Sequence, residues 1–345
     1  MSPLVTEDAV TFRLADPGRG LARVALVHEL VRPRRVAFER NGTGFELRLA
    51  RPPVDRLEYL LERERRGGGV EIGPDPGNDL LAPGAFGPKS VVEFPGYEPP
   101  GWAGDDESEP GELRELRLTS RLLRTSVKAI LWSAAETDPG QPLPLLVVHD
   151  GPEYAEFSSL VRLLDHLVAF GELPPLRAAL VPPPLDRFQT YSASARYARA
   201  LTEEWLPALA PCAGRPVGMG ASLGALALLH AYYARPDAFA GLFLQSGSFF
   251  RHRFDSHESD APRYARITRF VSRIAGGQGA PPPLPVTLTC GAAEENLANN
   301  RWLAGLLAGR GWPVQLVEHR DAHNWISWRD ALHPHLADLV LHALA

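Results

Sequence analysis

The stretch of sequence that decides the fold covers residues 216–234 and reads PVGMGASLGALALLHAYYA. Its first four residues are typical of a short buried strand, and residues 223–234 have the pattern of a helix. Between them lies the motif G-x-S-x-G, centred on Ser222. A strand, a sharp turn and a helix around such a serine are what a nucleophile elbow requires, because the two glycines allow close packing at a strained turn. The motif predicts a nucleophilic serine, although a serine that only caps the helix would fit the same pattern.

Strands and helices alternate on both sides of this segment. The other strand candidates lie at 113–118, 127–132, 143–148, 176–181, 241–244, 285–289 and 313–318. The other amphipathic helix candidates lie at 157–170, 196–206, 263–274, 297–308 and 328–344. This alternation predicts a mostly parallel sheet with helices on both faces, and its first two strands should form an antiparallel edge hairpin because their connection is short. Together with the elbow it predicts an α/β fold, namely an α/β-hydrolase catalytic domain at residues 113–345.

Residues 1–104 have a different pattern. Apolar and charged residues alternate at 45–49, directly after the turn signal Asn41-Gly42, and prolines and glycines interrupt the segment at short intervals. Short strands with such turns predict a small β-sandwich, which we expect to shape a site rather than to perform chemistry. A Pro/Gly-rich stretch and the acidic run at 105–107 then predict a linker at residues 105–112.

Composition limits the possible functions. The chain has 345 residues and a formal charge of -5, which gives no reason to expect nucleic acid or an anionic membrane as a partner. No apolar run approaches the ~20 residues that span a bilayer, and no signal peptide is visible. Two cysteines, Cys212 and Cys290, are too few for a disulfide framework and do not form a metal-binding cluster. We therefore expect a cytoplasmic protein without a metal.

The general base is expected on the loop between the last strand and the C-terminal helix, because the triad of this fold runs in the chain order Ser, acid, His. His323 lies there, within the stretch DAHNW at 321–325. The other histidines considered lie on strand or helix candidates: His319, the main alternative at a strand end, His230 in mid-helix, and His333 and His335 on the terminal helix.

The acid should follow the strand candidate at 285–289. Glu294 lies three residues beyond Gly291, a suitable distance for orienting the imidazole of the base. Glu295 is the alternative, since an acidic residue in the first turn of a helix is favoured by the helix dipole. The sequence leaves this choice open.

The oxyanion hole should use the backbone N–H of Leu223, the residue after the nucleophile. A second donor is expected from the loop after the third strand, where Gly151 would let the backbone turn towards the acyl oxygen. Pro152 has no N–H, so Glu153 and Tyr154 are the candidates. An ordinary strand-ending turn would fit the same residues.

Four blocks of this sequence resemble the enterochelin (ferric enterobactin) esterases and the wider esterase D-like α/β hydrolases. They are VVHDG at 147–151, GASLG at 220–224, QSGSF at 245–249, and DAHNW at 321–325 followed by Trp328-Arg329. The resemblance implies a triad of Ser222, Glu294 and His323, and hydrolysis of ester bonds without a cofactor. It also implies a small-molecule, siderophore-like ester as substrate.

Substrate contacts are less defined than the triad. Candidates are Gly151, Arg187 and Trp325, although Trp325 could instead seal the core beneath the terminal helix. Six arginines between residues 251 and 273 would suit an anionic substrate. They could equally form a solvated helix face, because all but two of the 36 basic residues are arginine.

The sequence favours a serine-dependent carboxylic ester hydrolase that works through an acyl-enzyme. Two alternatives stay open. One is an acyltransferase on the same fold, in which an alcohol or sugar replaces water. The other is a non-catalytic scaffold that binds a siderophore or glycan, since the fold alone does not decide function. The oligomeric state is not indicated.

Overall fold

The structure is a computed structural model that describes residues 2–104, 108–209, 211–277 and 279–345, without the side chain of His257. Within these ranges the chain forms two compact units. The first comprises Met1–Pro99, Gly291–Glu295 and Glu318–Ser327, and the second comprises Pro100–Cys290, Asn296–Val317 and Trp328–Ala345. The acidic run at 105–107 lies outside the described residues, so the linker at 105–112 stays a prediction.

The described part of the first unit contains two β-sheets. Its strands are β1 Leu4–Val5, β2 Ala9–Ala15, β3 Leu21–His28, β4 Arg35–Ala37, β5 Glu39–Asn41, β6 Gly44–Ala50, β7 Arg56–Arg65, β8 Val70–Gly73, β9 Leu81–Ala82 and β10 Lys89–Glu93. One sheet has the order β1-β2-β6-β5, and the other has the order β4-β3-β7-β10-β9 with β8 beside β7. The predicted turn at Asn41-Gly42 connects β5 to β6, and Gly42 has the positive φ of 58° that favours glycine there.

The core of this unit lies between the two sheets. Phe12 on β2 packs edge-on against Tyr59 on β7, with ring centroids 4.8 Å apart. Ala293 and Ala322, from the two short segments late in the chain, are buried in the same apolar cluster. The predicted β-sandwich is therefore confirmed, and it also includes two segments that lie far away in the sequence.

The second unit is built on a sheet that has eight strands among the described residues. They are β11 Glu112–Ser120, β12 Thr125–Ser133, β13 Leu145–His149, β14 Arg177–Val181, β15 Val217–Ala221, β16 Gly241–Gln245, β17 Val286–Gly291 and β18 Val314–His319. Their order is β11-β12-β14-β13-β15-β16-β17-β18. The first two form the predicted antiparallel hairpin, and β12 is also antiparallel to β14. The neighbouring strands in the run β14-β13-β15-β16-β17 are parallel to one another. The predicted mostly parallel sheet is confirmed.

Helices follow most of these strands. They are α1 Gly151–Phe157, α2 Leu160–Ala169, α3 Arg187–Tyr191, α4 Ala195–Arg199, a π-helical segment Ala200–Trp205, α5 Leu206–Ala208, α6 Leu223–Ala234, α7 Tyr264–Ala275, α8 Leu297–Ala308, α9 Trp325–Asp330 and α10 His335–Leu344, with 3₁₀ turns at Gly101–Gly104 and Ser256–Glu258. No helix in the described ranges has the length and apolar character needed to cross a membrane.

Two helix predictions differ from the structure. Helix α1 occupies a segment predicted as a loop, ahead of the helix predicted at 157–170. The helix predicted at 328–344 is instead two helices, α9 and α10, with Pro334 at the N-cap of the second. Proline supplies no N–H for an intrahelical hydrogen bond, so an uninterrupted helix through this position is disfavoured.

Candidate active site

Ser222 occupies the turn between β15 and α6, in the second unit. Its backbone has φ 55° and ψ -120°, a conformation that is strained for a residue with a side chain. The turn is fixed by the N–H of Ser222, which donates to the carbonyl oxygen of Gln245 at 2.8 Å. Ser222 is the N-cap residue of α6, but within the described chain its side chain makes no capping hydrogen bond. Capping therefore does not explain this serine.

The glycines on either side of Ser222 are required by close packing. A Cβ atom on Gly220 would lie 3.0 Å from the carbonyl carbon of Gly224. A Cβ atom on Gly224 would lie 3.2 Å from Oδ2 of Asp150 and 3.3 Å from Cβ of His149. The G-x-S-x-G pattern thus reflects a tight turn against the segment that follows β13.

Ser248 contacts Ser222 in two ways, and sequence reasoning assigned it no role. The two Oγ atoms are 3.1 Å apart, and the N–H of Ser248 donates to the carbonyl oxygen of Ser222 at 3.2 Å. Ser248 is only 3% exposed. It lies in the QSGSF block after β16, and the parallel pairing of β16 with β15 brings the two strand ends together. The signal that could have pointed to Ser248 is its place in the QSGSF block, directly after a strand candidate, since the adjacency of the two strands is visible only in the structure.

The loop that carries Ser248 is held by side chains from α8 and α9. Asn300 accepts a hydrogen bond from the N–H of Gly247 at 3.1 Å and donates to its carbonyl oxygen at 3.0 Å. Trp328 donates from its indole nitrogen to Oγ of Ser246 at 2.9 Å. These three buried hydrogen bonds join uncharged groups and hold the part of the loop that precedes Ser248.

An acid–base pair lies in the first unit, where Glu294 and His323 meet. Oε2 of Glu294 is 2.6 Å from Nδ1 of His323, and Oε1 accepts the N–H of Gly291 at 2.7 Å. Glu294 is 2% exposed. A carboxylate on Nδ1 fixes the tautomer of a neutral imidazole with its lone pair on Nε2, which is the arrangement of a general base.

Glu295 has different partners. Its carboxylate accepts from Nε of Arg32 at 3.3 Å and from the guanidinium of Arg34. Of the two candidate acids, Glu294 is therefore the one that contacts His323.

The other histidines that were considered as the general base have different surroundings. Nε2 of His319 is 2.6 Å from Oγ of Ser327. Burial, together with Arg273 and Arg266, lowers the pKa of His230 to about 4. A histidine that is held neutral on helix α6 by its surroundings has a packing role, as expected from its place in mid-helix.

His149 is a second structural histidine, beneath the elbow. Its Nδ1 donates to the carbonyl oxygen of Gly224 at 3.1 Å, and its Nε2 accepts from the hydroxyl of Tyr197 at 2.9 Å. Burial lowers its pKa to about 4, so the ring is neutral near pH 7. The VVHDG block thus supports the turn that carries Ser222.

The three backbone N–H groups predicted as oxyanion donors differ in whether the structure leaves them available. Leu223 is the first residue of α6, where an N–H has no acceptor within its own helix. The prediction for Tyr154 is wrong, because this segment is helical and its N–H donates to the carbonyl oxygen of Asp150 at 3.0 Å. Its hydroxyl donates to Oε1 of Gln245 at 2.7 Å. Glu153 lies in the first turn of α1 and stays the second candidate.

The predicted substrate contacts have structural partners of their own. A Cβ atom on Gly151 would lie 2.3 Å from Cα of Leu180, so this glycine allows α1 to pack on β14. Arg187 donates to both oxygens of Asp150, at 3.3 and 2.7 Å, and its side chain is 34% exposed. Trp325 is half-buried at the start of α9. Contacts of these three residues with a substrate stay predictions.

The described side chains contain no group of three or more His, Cys, Asp and Glu that could hold a metal ion. Cys212 and Cys290 form no disulfide bond within the described part of the chain.

The sheet, its covering helices and the serine elbow define an α/β-hydrolase fold, as predicted. No family model matches the chain. The iron(III) enterobactin esterase of Dickeya dadantii is 28% identical over 218 residues, which cover 59% of this chain and 49% of that protein. The chain therefore matches about half the length of this curated relative.

Solved enterobactin esterases have the same fold over nearly the whole chain. That of Shigella flexneri, crystallised in the presence of enterobactin, has a TM-score of 0.76 and 21% identity, covering 98% of this chain and 95% of its own. That of Salmonella typhimurium has a TM-score of 0.75 and 22% identity, covering 99% and 97%. The resemblance to the enterobactin esterases that the four sequence blocks indicate is thus confirmed.

Proposed function

We propose that this protein is a serine-dependent carboxylic ester hydrolase. The observation that carries the proposal is the strained turn at Ser222, whose side chain does not cap the helix behind it. Strain at one half-buried serine between a buried strand and a buried helix is characteristic of an activated nucleophile. The pair formed by Glu294 and His323 supplies the other two groups that such a nucleophile needs.

In the proposed reaction Nε2 of His323 removes the proton of the Ser222 hydroxyl while Oγ attacks the carbonyl carbon of the ester. Glu294 stabilises the imidazolium that forms. The negative charge on the tetrahedral oxygen is bound by the N–H of Leu223 and, as we propose, by that of Glu153. Collapse breaks the ester bond, and His323 gives its proton to the departing alkoxide. Water then repeats the sequence on the acyl-enzyme and releases the acid.

We further propose a siderophore-like ester as substrate. This rests on the similarity to esterases whose names specify enterobactin, one of them crystallised in its presence. The β-sandwich at residues 1–104 would shape the substrate site, and residues 113–345 would carry the chemistry. Two cysteines without a disulfide bond fit a reducing compartment, so we propose the cytoplasm as its location.

A fluorophosphonate probe tests the proposed nucleophile. We expect a covalent adduct on the peptide that contains Ser222, absent in Ser222→Ala and strongly slowed in His323→Ala. The matched control is His333→Ala, which removes a half-buried histidine of the same chain and should label at the wild-type rate. An adduct on another serine, or labelling that is indifferent to His323, would contradict the assignment.

Turnover distinguishes hydrolysis from its alternatives. On an activated aryl ester, Ser222→Ala should lower kcat by about 10³-fold or more. Release of the free acid in the presence of added alcohols indicates hydrolysis, whereas esters of those alcohols indicate acyl transfer. Absence of any adduct and of any turnover would identify a non-catalytic scaffold. A comparison of enterobactin with a simple aryl ester then tests the proposed substrate class.

A further inference from the structure

We propose a second binding site, for a compact anion of the phosphate class that carries at least two negative charges. The site is a cavity of about 530 Å³ in the second unit, between the turn that joins β11 to β12 and the helix α4. Its lining residues are Arg121, Leu122, Arg124, Ala195, Arg196 and Arg199. Four guanidinium groups from two separate parts of the chain thus border one cavity.

Most of this positive charge is not neutralised by the protein. Arg121, Arg124 and Arg196 form no ion pair with any residue that the structure describes. Arg199 is paired with Glu203 at 3.1 Å. Arginines of the first unit, by contrast, commonly face carboxylates: Arg13 with Glu46, Arg35 with Glu62 and Arg63 with Glu71. Like charges repel one another, so a cluster left uncompensated in a chain of net charge -5 favours an anionic ligand.

Glu204 ties the turn between β11 and β12 to the π-helical segment Ala200–Trp205, which directly continues α4. Its carboxylate accepts the hydroxyl of Ser120 and the backbone N–H groups of Arg121 at 3.2 Å and Leu122 at 3.3 Å. This carboxylate is therefore bonded to the backbone of the turn rather than to a guanidinium. A site whose walls are already fixed loses less conformational entropy when a ligand binds.

The cavity is separate from the nucleophile. On α4, Tyr197 and Ala198 are buried, and the Tyr197 hydroxyl bonds to the histidine beneath the elbow. Arg196 and Arg199 are exposed, on the other face of the helix. Helix α4 therefore lies between the arginine-lined cavity and Ser222, so this site does not depend on the proposed esterase activity.

The arrangement fits phosphate better than a single carboxylate. Each guanidinium presents a planar fork of N–H donors, and a phosphate group offers three acceptor oxygens with a charge of about -1.5 to -2. Several forks that converge from two elements can bond to different oxygens of one such group. Leu122 and Ala195 add apolar surface beside the charges, which suits the organic part of a phosphate ester.

Isothermal titration with inorganic pyrophosphate tests the proposal, at constant ionic strength because arginine–phosphate contacts are weakened by salt. We expect saturable binding to the wild type and a dissociation constant about tenfold or more higher in Arg121→Gln/Arg196→Gln, since each lost charged hydrogen bond is worth about 1.5–3 kcal/mol. The matched control, Arg114→Gln/Arg273→Gln, removes the same charge from two exposed arginines outside the cavity and should bind as the wild type does.

Circular dichroism verifies that both double variants are folded, and the single variant Arg124→Gln provides a milder loss at the same site. No saturable heat, or equal affinity in the wild type and all variants, would overturn the site. Weaker binding in the control than in the cavity variant would place the anion elsewhere. A parallel titration with citrate tests the ligand class, because saturable citrate binding without pyrophosphate binding would overturn the assignment to phosphate.

Discussion

Replacement of Asp321 by asparagine should raise stability at neutral and alkaline pH. Asp321 is 5% exposed in the segment after β18. Its Oδ1 accepts the N–H of Ala322 at 2.7 Å and the amide of Asn324 at 2.9 Å. Burial raises the pKa of this carboxyl to about 7, although these hydrogen bonds and Arg56 oppose the shift. Asn keeps the accepting oxygen and carries no charge, so it resembles the protonated form.

The magnitude follows from the difference between the folded and unfolded states. An aspartate in the unfolded chain has a pKa of about 3.9, so the folded value lies about three units higher, equivalent to about 4 kcal/mol. Because the folded state binds the proton more tightly, the protonated Asp321 carboxyl adds this free energy to the stability of the folded state, and the whole amount is present below about pH 4. It is lost as the pH rises towards 7 and stays lost above it.

Thermal unfolding measured between pH 4.5 and 8.5 provides the assay. For a chain of 345 residues the entropy of unfolding is about 0.7 kcal/mol per kelvin. About 1 kcal/mol of this contribution is already lost at pH 4.5, so the midpoint of Asp321→Asn should gain about 4–5 °C on the wild type between the acidic and alkaline ends. Asp237→Asn, at an exposed aspartate, serves as control and should parallel the wild type. A midpoint difference between Asp321→Asn and the wild type that does not change with pH would refute the reasoning.

Three further substitutions test the site and its support. Glu294→Gln removes the carboxylate on Nδ1 of the base, and kcat on an aryl ester should fall by about 10³-fold or more. Ser248→Ala removes the hydroxyl beside Ser222, and kcat should fall by about tenfold with little change in KM, the effect of one hydrogen bond. Gly151→Ala places a Cβ against backbone, and urea unfolding should show a loss of about 3 kcal/mol or more, or no soluble protein.

Two of these substitutions have a matched control variant. Glu295→Gln removes a neighbouring carboxylate that binds arginines, and kcat should stay near the wild-type value. Equal losses in Glu294→Gln and Glu295→Gln would remove the distinction between the two acids. Gly305→Ala adds a Cβ in open space on α8 and should not destabilise the protein. A shift in KM without a fall in kcat for Ser248→Ala would point to substrate binding instead of positioning.

The elements that local sequence determines could be predicted closely. The strand Val217–Ala221 and the helix Leu223–Ala234 follow from an apolar run, two glycines and a long stretch of helix-forming residues. The same holds for α8, whose observed bounds, Leu297–Ala308, equal the predicted ones. These patterns are local, so one sequence suffices to identify them.

Other features depend on contacts between distant residues. Gly151-Pro152 has the pattern of a turn, yet α1 forms there because the glycine packs on β14 and Tyr154 bonds to Gln245 across the unit. Glu294 and Glu295 have nearly the same sequence environment, and only packing directs one of them to the histidine. The pairing of Ser248 with its partner serine likewise depends on strand order.

The backbone conformation of Ser222 has a consequence for protein engineering. Its φ of 55° and ψ of -120° suit glycine, and a residue with a side chain in such a region loses about 1–3 kcal/mol of stability. A library selected only for heat resistance would therefore enrich glycine at this position and discard the hydroxyl. If Ser222 is the nucleophile that we propose, directed evolution of this protein needs a turnover screen in every round, because thermostability and catalysis then make opposite demands on one residue.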